Sequence, residues 1–310
     1  MKQKNSMTGV ALLQLPIRKK SVAIFSAKGL GDGLLYMTLS HNLSFENEVV
    51  TFNSHLCELR RWFPNKVLLP FPENIEGALS SFDLIIASDH SPIHHTKTLL
   101  NKTYLIKESA LNKKMTMVDN LVSLCKERFY LKEASPYNGI VVPNDVKQGA
   151  FSKRVIIHPM SAESKKIWPK EKFINLAHRL ENQGFEPSLC VSHFERAQWQ
   201  QICDSLPLPY FSDLDACASY IAEAGYMIGN DSGLGHLASN MGIPTLTLFA
   251  RKSYSHLWRP GWGPGRVVYP PPFLIGAKLK QRYWKEFLTV ERVHKAFTKE
   301  REKKRFLPPS

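Results

Sequence analysis

The segment Gly229-Asn230-Asp231-Ser232-Gly233-Leu234-Gly235-His236-Leu237-Ala238-Ser239-Asn240-Met241 gathers a carboxylate, a hydroxyl, glycines and an imidazole between positions 231 and 236. The apolar run Tyr226-Met227-Ile228 precedes it, and Gly242-Ile243-Pro244 leads on to Thr245-Leu246-Thr247-Leu248-Phe249. This order predicts a βαβ unit, with function where the first strand's carboxyl end meets the helix's amino end. Free N–H groups there favour an anion, and phosphate is the natural ligand. Ser232 offers a hydroxyl and Gly233 lets the backbone approach closely. His236, four residues after Ser232, falls on the same side of the helix. The same residues also fit a plain N-capped core helix with a satisfied histidine, so this segment alone leaves both readings open.

The pattern Asp-Ser-Gly-x-x-His-x-Ala after a hydrophobic strand resembles the signature of glycosyltransferase family 9, the bacterial lipopolysaccharide heptosyltransferases. Two further segments resemble that family in the expected order. Residues 22–39, from Val22-Ala23-Ile24-Phe25 through Lys28-Gly29-Leu30-Gly31-Asp32, are similar to its N-terminal strand, Gly-Asp turn and helix. Residues 156–180 are similar to its central block: Ile156-Ile157-His158-Pro159-Met160-Ser161, Lys165-Lys166-Ile167-Trp168-Pro169, then Phe173 and Leu176–Leu180. The resemblance implies the GT-B architecture and inverting transfer of heptose from ADP-heptose to the inner core of lipopolysaccharide, with no metal or cofactor.

Sugar transfer from a nucleotide diphosphate needs a base for the acceptor hydroxyl, stabilisation of the leaving diphosphate, and a sugar held in line. Asp32 sits in a Gly-rich turn between strand and helix, where its carboxylate can face a cleft. The resemblance makes it the general base; the ordinary alternative is a helix-capping aspartate. Gly29 stands where many family members carry arginine, with Lys28 adjacent. Lys166 matches the lysine that contacts donor phosphate, and an ammonium there offsets charge developing on the diphosphate. Lys165 is an alternative one residue away, and either can be an ordinary exposed side chain. Ser232 and Gly233 would present donors to the diphosphate. By resemblance Asp231 lies near the donor sugar and His236 near the phosphate. Glu195 matches a glutamate on the donor ribose, although a first-turn glutamate also suits a helix dipole. Ser161 would approach phosphate. On the acceptor side, Lys28, Asp89 and His90 are candidates. His90, His94 and His95 lack the spacing of a recognised metal ligand set.

The elements that must position these groups alternate along the chain. Strands are expected at 21–25, 49–52, 66–69, 82–87 and 102–106, with helices at 33–42, 55–63 and 117–130. The continuously apolar strands fit parallel sheets buried on both faces. Residues 134–145 carry the Pro, Gly and Asn of a linker. The alternation resumes with strands at 154–158 and 187–191, helices at 170–182 and 195–205, and 220–224 within another helix. We therefore expect an α/β protein of two doubly wound, Rossmann-like domains facing a central cleft. The bounds are an N-terminal extension 1–20, an acceptor domain 21–145, a nucleotide-sugar domain 146–283, and a closing helix with basic tail 284–310.

Composition narrows the rest. At 310 residues two domains are the prior. No stretch approaches the roughly 20 apolar residues of a membrane-spanning helix. The N-terminus is too short and polar for a signal peptide. The five cysteines (Cys57, Cys125, Cys190, Cys203, Cys217) form no Cys-x-x-Cys pair, which points to free thiols in a reducing cytoplasm. Lys plus Arg number 41 against 27 Asp plus Glu, a net charge of +14 that calls for an anionic partner. A phosphorylated, membrane-embedded lipopolysaccharide core fits, with the protein peripheral at the cytoplasmic face of the inner membrane. No zinc finger, RNA-recognition motif or basic zipper argues for nucleic acid. The rivals are the same fold with another donor or acceptor, and a non-catalytic binder of nucleotide or anionic glycan, or of nucleic acid through the charge alone.

Overall fold

The computed structural model describes residues 20–202, 205–271 and 283–305. The N-terminal extension to residue 19, Cys203 and the basic group at 278–282 lie outside these residues.

Two five-stranded parallel sheets form the frame. The first contains β1 (Ser21–Phe25), β2 (Glu48–Phe52), β3 (Val67–Leu69), β4 (Leu84–Ser88) and β5 (Thr103–Ile106), in the order β3-β2-β1-β4-β5. The second contains β6 (Phe151–His158), β7 (Glu186–Leu189), β8 (Ala224–Asn230), β9 (Thr245–Leu248) and β10 (Gly265–Val268), in the order β10-β9-β8-β6-β7. The central strands are apolar without alternation because helices cover both faces: every residue of β8 is buried. The helices are α1 (Leu30–Leu43), α2 (Ser54–Glu58), α3 (Ile75–Leu79), α4 (Met117–Glu127), α5 (Lys170–Glu181), α6 (His193–Gln200), α7 (Leu214–Ala222), α8 (Gly233–Asn240), α9 (Lys252–Trp258) and α10 (Val290–Arg305).

Several boundaries differ from the expected ones for physical reasons. α7 stops at Ala222 and Ala224 already belongs to β8. There the backbone of Gly225 abuts β6 so closely that a Cβ would sit 2.0 Å from the Ser152 carbonyl oxygen. The helix expected over 55–63 is α2 plus a separate 3-10 turn, Arg60–Trp62. Pro64 follows and disfavours helical geometry at Phe63. α6 begins at His193, two residues early, because Ser192 and Glu195 form a capping box.

The chain reverses its direction of winding between β1 and β4 in the first sheet and between β6 and β8 in the second. Such switch points open a crevice at the strands' carboxyl ends. Here the two crevices face each other across a cleft of about 900 Å³. The units share one apolar cluster, in which Leu34 and Met37 of α1 join Ile221 of α7 and Leu237 of α8. Arg61 clasps the join, donating to Asp145 at 2.7 Å, Asp215 at 2.7 Å and Ser219 at 2.9 Å. Among the described residues no helix is long and apolar enough to cross a membrane.

Candidate active site

α1 starts directly after β1, and its first turn carries Asp32. Gly29 is the N-cap and supplies no side chain, so Asp32 is a first-turn residue and not the cap. Its carboxylate folds back over the helix end, with Oδ2 2.7 Å from where a Gly29 Cβ would stand. Glycine at 29 leaves the room that Asp32 needs, where arginine would fill it. The carboxylate lines the cleft. Burial raises its pKa above the ordinary aspartate value, against the lowering influence of His90, its own N–H and Lys166. Asp32 is thus a carboxylate with increased affinity for a proton.

The opposite wall comes from the ends of β6 and β8. Lys166 Nζ lies 3.0 Å from Asp231 Oδ2 and 3.1 Å from Glu163 Oε1, and it sits over the Tyr254 ring at 5.3 Å. Burial would lower its pKa, but Asp231, Tyr254 and Glu163 outweigh that and hold the ammonium above the usual lysine range. Lys165 pairs instead with Glu163 at 2.5 Å and is more exposed, so Lys166 is the lysine that reaches the cleft. Ser161 Oγ donates to the Asp231 carbonyl at 2.8 Å. Asn230 ties the two loops together: its Nδ2 donates to the Pro159 carbonyl at 2.7 Å and its Oδ1 accepts from Trp168 N at 3.1 Å. Trp168 itself is fully buried.

α8 opens beside Asp231. Ser232 is its N-cap, and its hydroxyl accepts from Gly235 N at 3.4 Å, a long contact that leaves the helix end weakly satisfied. His236 is buried within the first turn and its Nδ1 has no hydrogen-bond partner among the described residues. Burial lowers its pKa, partly offset by Asp231, and so favours the neutral imidazole. Together these groups place N–H donors at a helix end, an arrangement that favours an anion.

Glu195 lines the cleft at the end of β7, but one carboxylate oxygen already accepts from Ser192 N at 3.0 Å and Ser192 Oγ at 2.6 Å. The structure thus shows its capping role, while the carboxylate also faces the cleft. Across the cleft, Asp89 accepts from Glu108 N at 3.0 Å, which makes it a brace for the loop after β4. His90 lines the cleft and lies 3.4 Å from Glu108 Oε2. Ala27 and Gly29 line the cleft while the Lys28 side chain between them is exposed. The side chains of His94 and His95 fall outside the described residues.

Sequence reasoning passed over Glu163, Glu108, Tyr254 and the buried His158. Glu163 precedes Lys165-Lys166 by two and three positions, a local spacing that could have drawn notice. Tyr254 and Glu108 reach the cleft from separate loops, and no local pattern marks them.

The sequence profile of glycosyltransferase family 9 (heptosyltransferase) matches residues 92–265. The chain belongs to glycosyltransferase family 9. No curated protein matches it by sequence. Its fold is similar to the glycosyl transferase family 9 structure from Veillonella parvula, at 16% identity and a TM-score of 0.70 over 93% of this chain and 99% of that one. E. coli ADP-heptose lps heptosyltransferase II gives 16% identity and a TM-score of 0.69, over 92% and 99% of the two chains. E. coli heptosyltransferase WaaC with ADP gives 14% and 0.65, over 90% and 99%. This glycosyltransferase therefore has the GT-B fold. The profile spans Ser161, Lys166, Glu195 and the 231–236 turn, whereas the Asp32 turn lies outside it.

Proposed function

We propose that the protein is an inverting heptosyltransferase that moves heptose from ADP-heptose to a hydroxyl of the lipopolysaccharide inner core. One observation carries this reading. Asp32, at the switch point of one sheet, faces Lys166, Asp231 and the amino end of α8, at the switch point of the other. That pairing sets a proton acceptor opposite an anion seat, the minimum for displacement at an anomeric carbon. The complexes of the E. coli relatives with ADP and with ADP-2-deoxy-2-fluoro heptose support a nucleotide-sugar donor.

In this reading the diphosphate rests on the α8 N–H groups, with Lys166 supplying the nearby cation and Glu195 reaching the ribose. The acceptor hydroxyl gives its proton to Asp32 as its oxygen attacks, and charge passes to the leaving phosphate. A carboxylate of raised proton affinity suits this task near neutral pH. Lys166 shares its ammonium between two carboxylates, which holds it in place before the donor arrives. The +14 charge supports an anionic acceptor and a protein peripheral at the cytoplasmic face of the membrane.

The test is product analysis. Purified protein, ADP-heptose and deacylated inner-core oligosaccharide are incubated, and the oligosaccharide is examined by mass spectrometry and NMR. Gain of one heptose with inverted anomeric configuration is the expected result. Unchanged oligosaccharide, with ADP bound normally, would move the proposal to another acceptor or donor sugar. Absence of any ADP binding would remove the donor assignment.

A further inference from the structure

Lys165 and Lys166 are neighbours, yet only one of them meets Asp231. Lys166 Nζ lies 3.0 Å from Asp231 Oδ2, with its side chain 25% exposed. The Lys165 side chain is 59% exposed and turns to Glu163 at 2.5 Å. Both lie in the connection between β6 and α5, whose regular structure is one 3-10 turn, Ser164–Lys166. A turn that short makes few bonds of its own. Rotation of the Lys165–Lys166 peptide would exchange which side chain faces the cleft, so the choice of lysine depends on what holds that peptide.

The hold comes from residues 283–288. Trp284 is fully buried in the apolar cluster that contains Trp168, Leu288 and Phe297. Its indole N–H points out of that cluster and donates to the Lys165 carbonyl at 3.0 Å, across 119 positions of sequence. The N–H of the same peptide group, that of Lys166, donates to the Glu163 carbonyl at 2.8 Å. The peptide joining the two lysines is thus held from both sides. Lys285 Nζ donates to the adjoining Ser164 carbonyl at 3.0 Å. The contact is returned from the other direction. Trp168 Nε1 donates to the Leu288 carbonyl at 2.8 Å. Lys172, in the first turn of α5, donates to the carbonyls of Lys285 at 2.6 Å, Glu286 at 3.0 Å and Leu288 at 3.2 Å. A satisfied network of this kind makes the segments it spans rigid.

Building on the proposed transferase reading, we propose that Trp284 is a positioning residue for Lys166. Its ring belongs to the core. Its N–H orients the Lys165–Lys166 peptide so that Lys166, and not Lys165, meets the leaving diphosphate. Fully buried, Trp284 acts only through that lysine. A cation fixed in advance stabilises developing charge without reorganising at the moment of reaction, and the indole bond secures that fixity.

The experiment is a double-mutant cycle of Trp284→Phe and Lys166→Met. It is read as kcat with ADP-heptose and as ADP affinity by calorimetry. Trp284→Phe keeps an aromatic ring in the core and removes the N–H. Alone, it should lower kcat by roughly tenfold, a fraction of what a displacement of about 1 Å can cost, and weaken ADP binding. In the Lys166→Met background it should change either quantity by no more than about twofold, because the group it positions is gone. Lys285→Met removes the bond to Ser164 without touching the core. It should show the same dependence on background, which separates positioning from a packing defect. Undiminished kcat in Trp284→Phe, or an equal loss in both backgrounds, would overturn the positioning role while leaving wild-type transfer standing. Wild type that binds ADP without transferring heptose would overturn the transferase reading, and the ADP arm of the cycle would still decide the role of Trp284. Absence of ADP binding in wild type would overturn both.

Discussion

Gly233 and Gly31 bring the amino ends of α8 and α1 into contact. A Cβ on Gly233 would lie 3.0 Å from Gly31 N and 2.9 Å from Leu30 Cβ. The amino end of α8 thus rests on the turn that carries Asp32. Gly233→Ala should wedge the units apart, at a stability cost of about 1–3 kcal/mol for overpacking. Activity should fall more than stability, since a displacement of about 1 Å at a reacting centre can cost on the order of a hundredfold. Thermal melts and steady-state kinetics on one preparation check this. Wild-type kcat/KM in Gly233→Ala would contradict it.

Lys166 and Asp231 form the principal ion pair of the site, with side chains 25% and 11% exposed. Removing one partner leaves the other charge partly buried and unmatched. Lys166→Met should reduce kcat by roughly 10²–10³, the usual effect of losing one electrostatic contact to a leaving group. It should also weaken ADP binding. Lys166→Arg should recover part of both, because the charge returns in a different shape. Kinetics and ADP calorimetry on both variants decide the matter.

In the proposed mechanism Asp32 exchanges stability for reactivity. Its pKa is raised in the folded protein, so the ionised form opposes folding. The stabilising contribution of the protonated form is present below the ordinary value of 3.8 and is lost as pH rises through the raised folded value. At neutral pH, Asp32→Asn should therefore raise Tm while lowering kcat by roughly 10²–10⁴, the typical share of a general base. The acid limb of the wild-type activity profile should lie above 3.8. A drop in Tm for Asp32→Asn would show that the carboxylate is a structural cap.

Buried histidines set the opposite slope. Burial lowers the pKa of His158 and His236, and of His41 and His294 to the same sign. The unfolded chain takes up protons on these residues below about pH 6.5 while the native state resists. Their stabilising contribution is present above that value and is lost as pH falls through the lower folded values. Wild-type Tm should decline from pH 7 toward pH 5, and His236→Asn should flatten the decline. Melts across that range measure both.

Much of this arrangement was legible in the sequence where local physics dominates. The continuous apolar runs of β1, β4, β6 and β8 and the turns at Asp32 and Asp231 follow from residue order alone. The central block containing Ser161 and Lys166 was legible through its resemblance to the family, which left Lys165 open beside Lys166. Less visible was whatever tertiary contact decides. α2 breaks near Trp62, whose indole N–H donates to Asp215 of the other unit at 2.6 Å. β10 joins the sheet edge at Gly265, where a Cβ would meet Thr245 Oγ1 at 2.5 Å. Tyr254 and Glu108 carry no motif, since only loops meeting across the cleft bring them into it. Glu195 shows the limit clearly: one spacing encodes a capping box and a candidate ribose ligand together.

The central claim is that Asp32 removes the acceptor proton while the opposite wall holds the leaving ADP. The most direct measurement is ADP release from ADP-heptose, with and without deacylated inner-core acceptor, in wild type and Asp32→Asn. ADP affinity is measured alongside. The account predicts acceptor-dependent release in wild type, loss of that release in Asp32→Asn, and equal ADP affinity in both. Unimpaired, acceptor-dependent release by Asp32→Asn would contradict it.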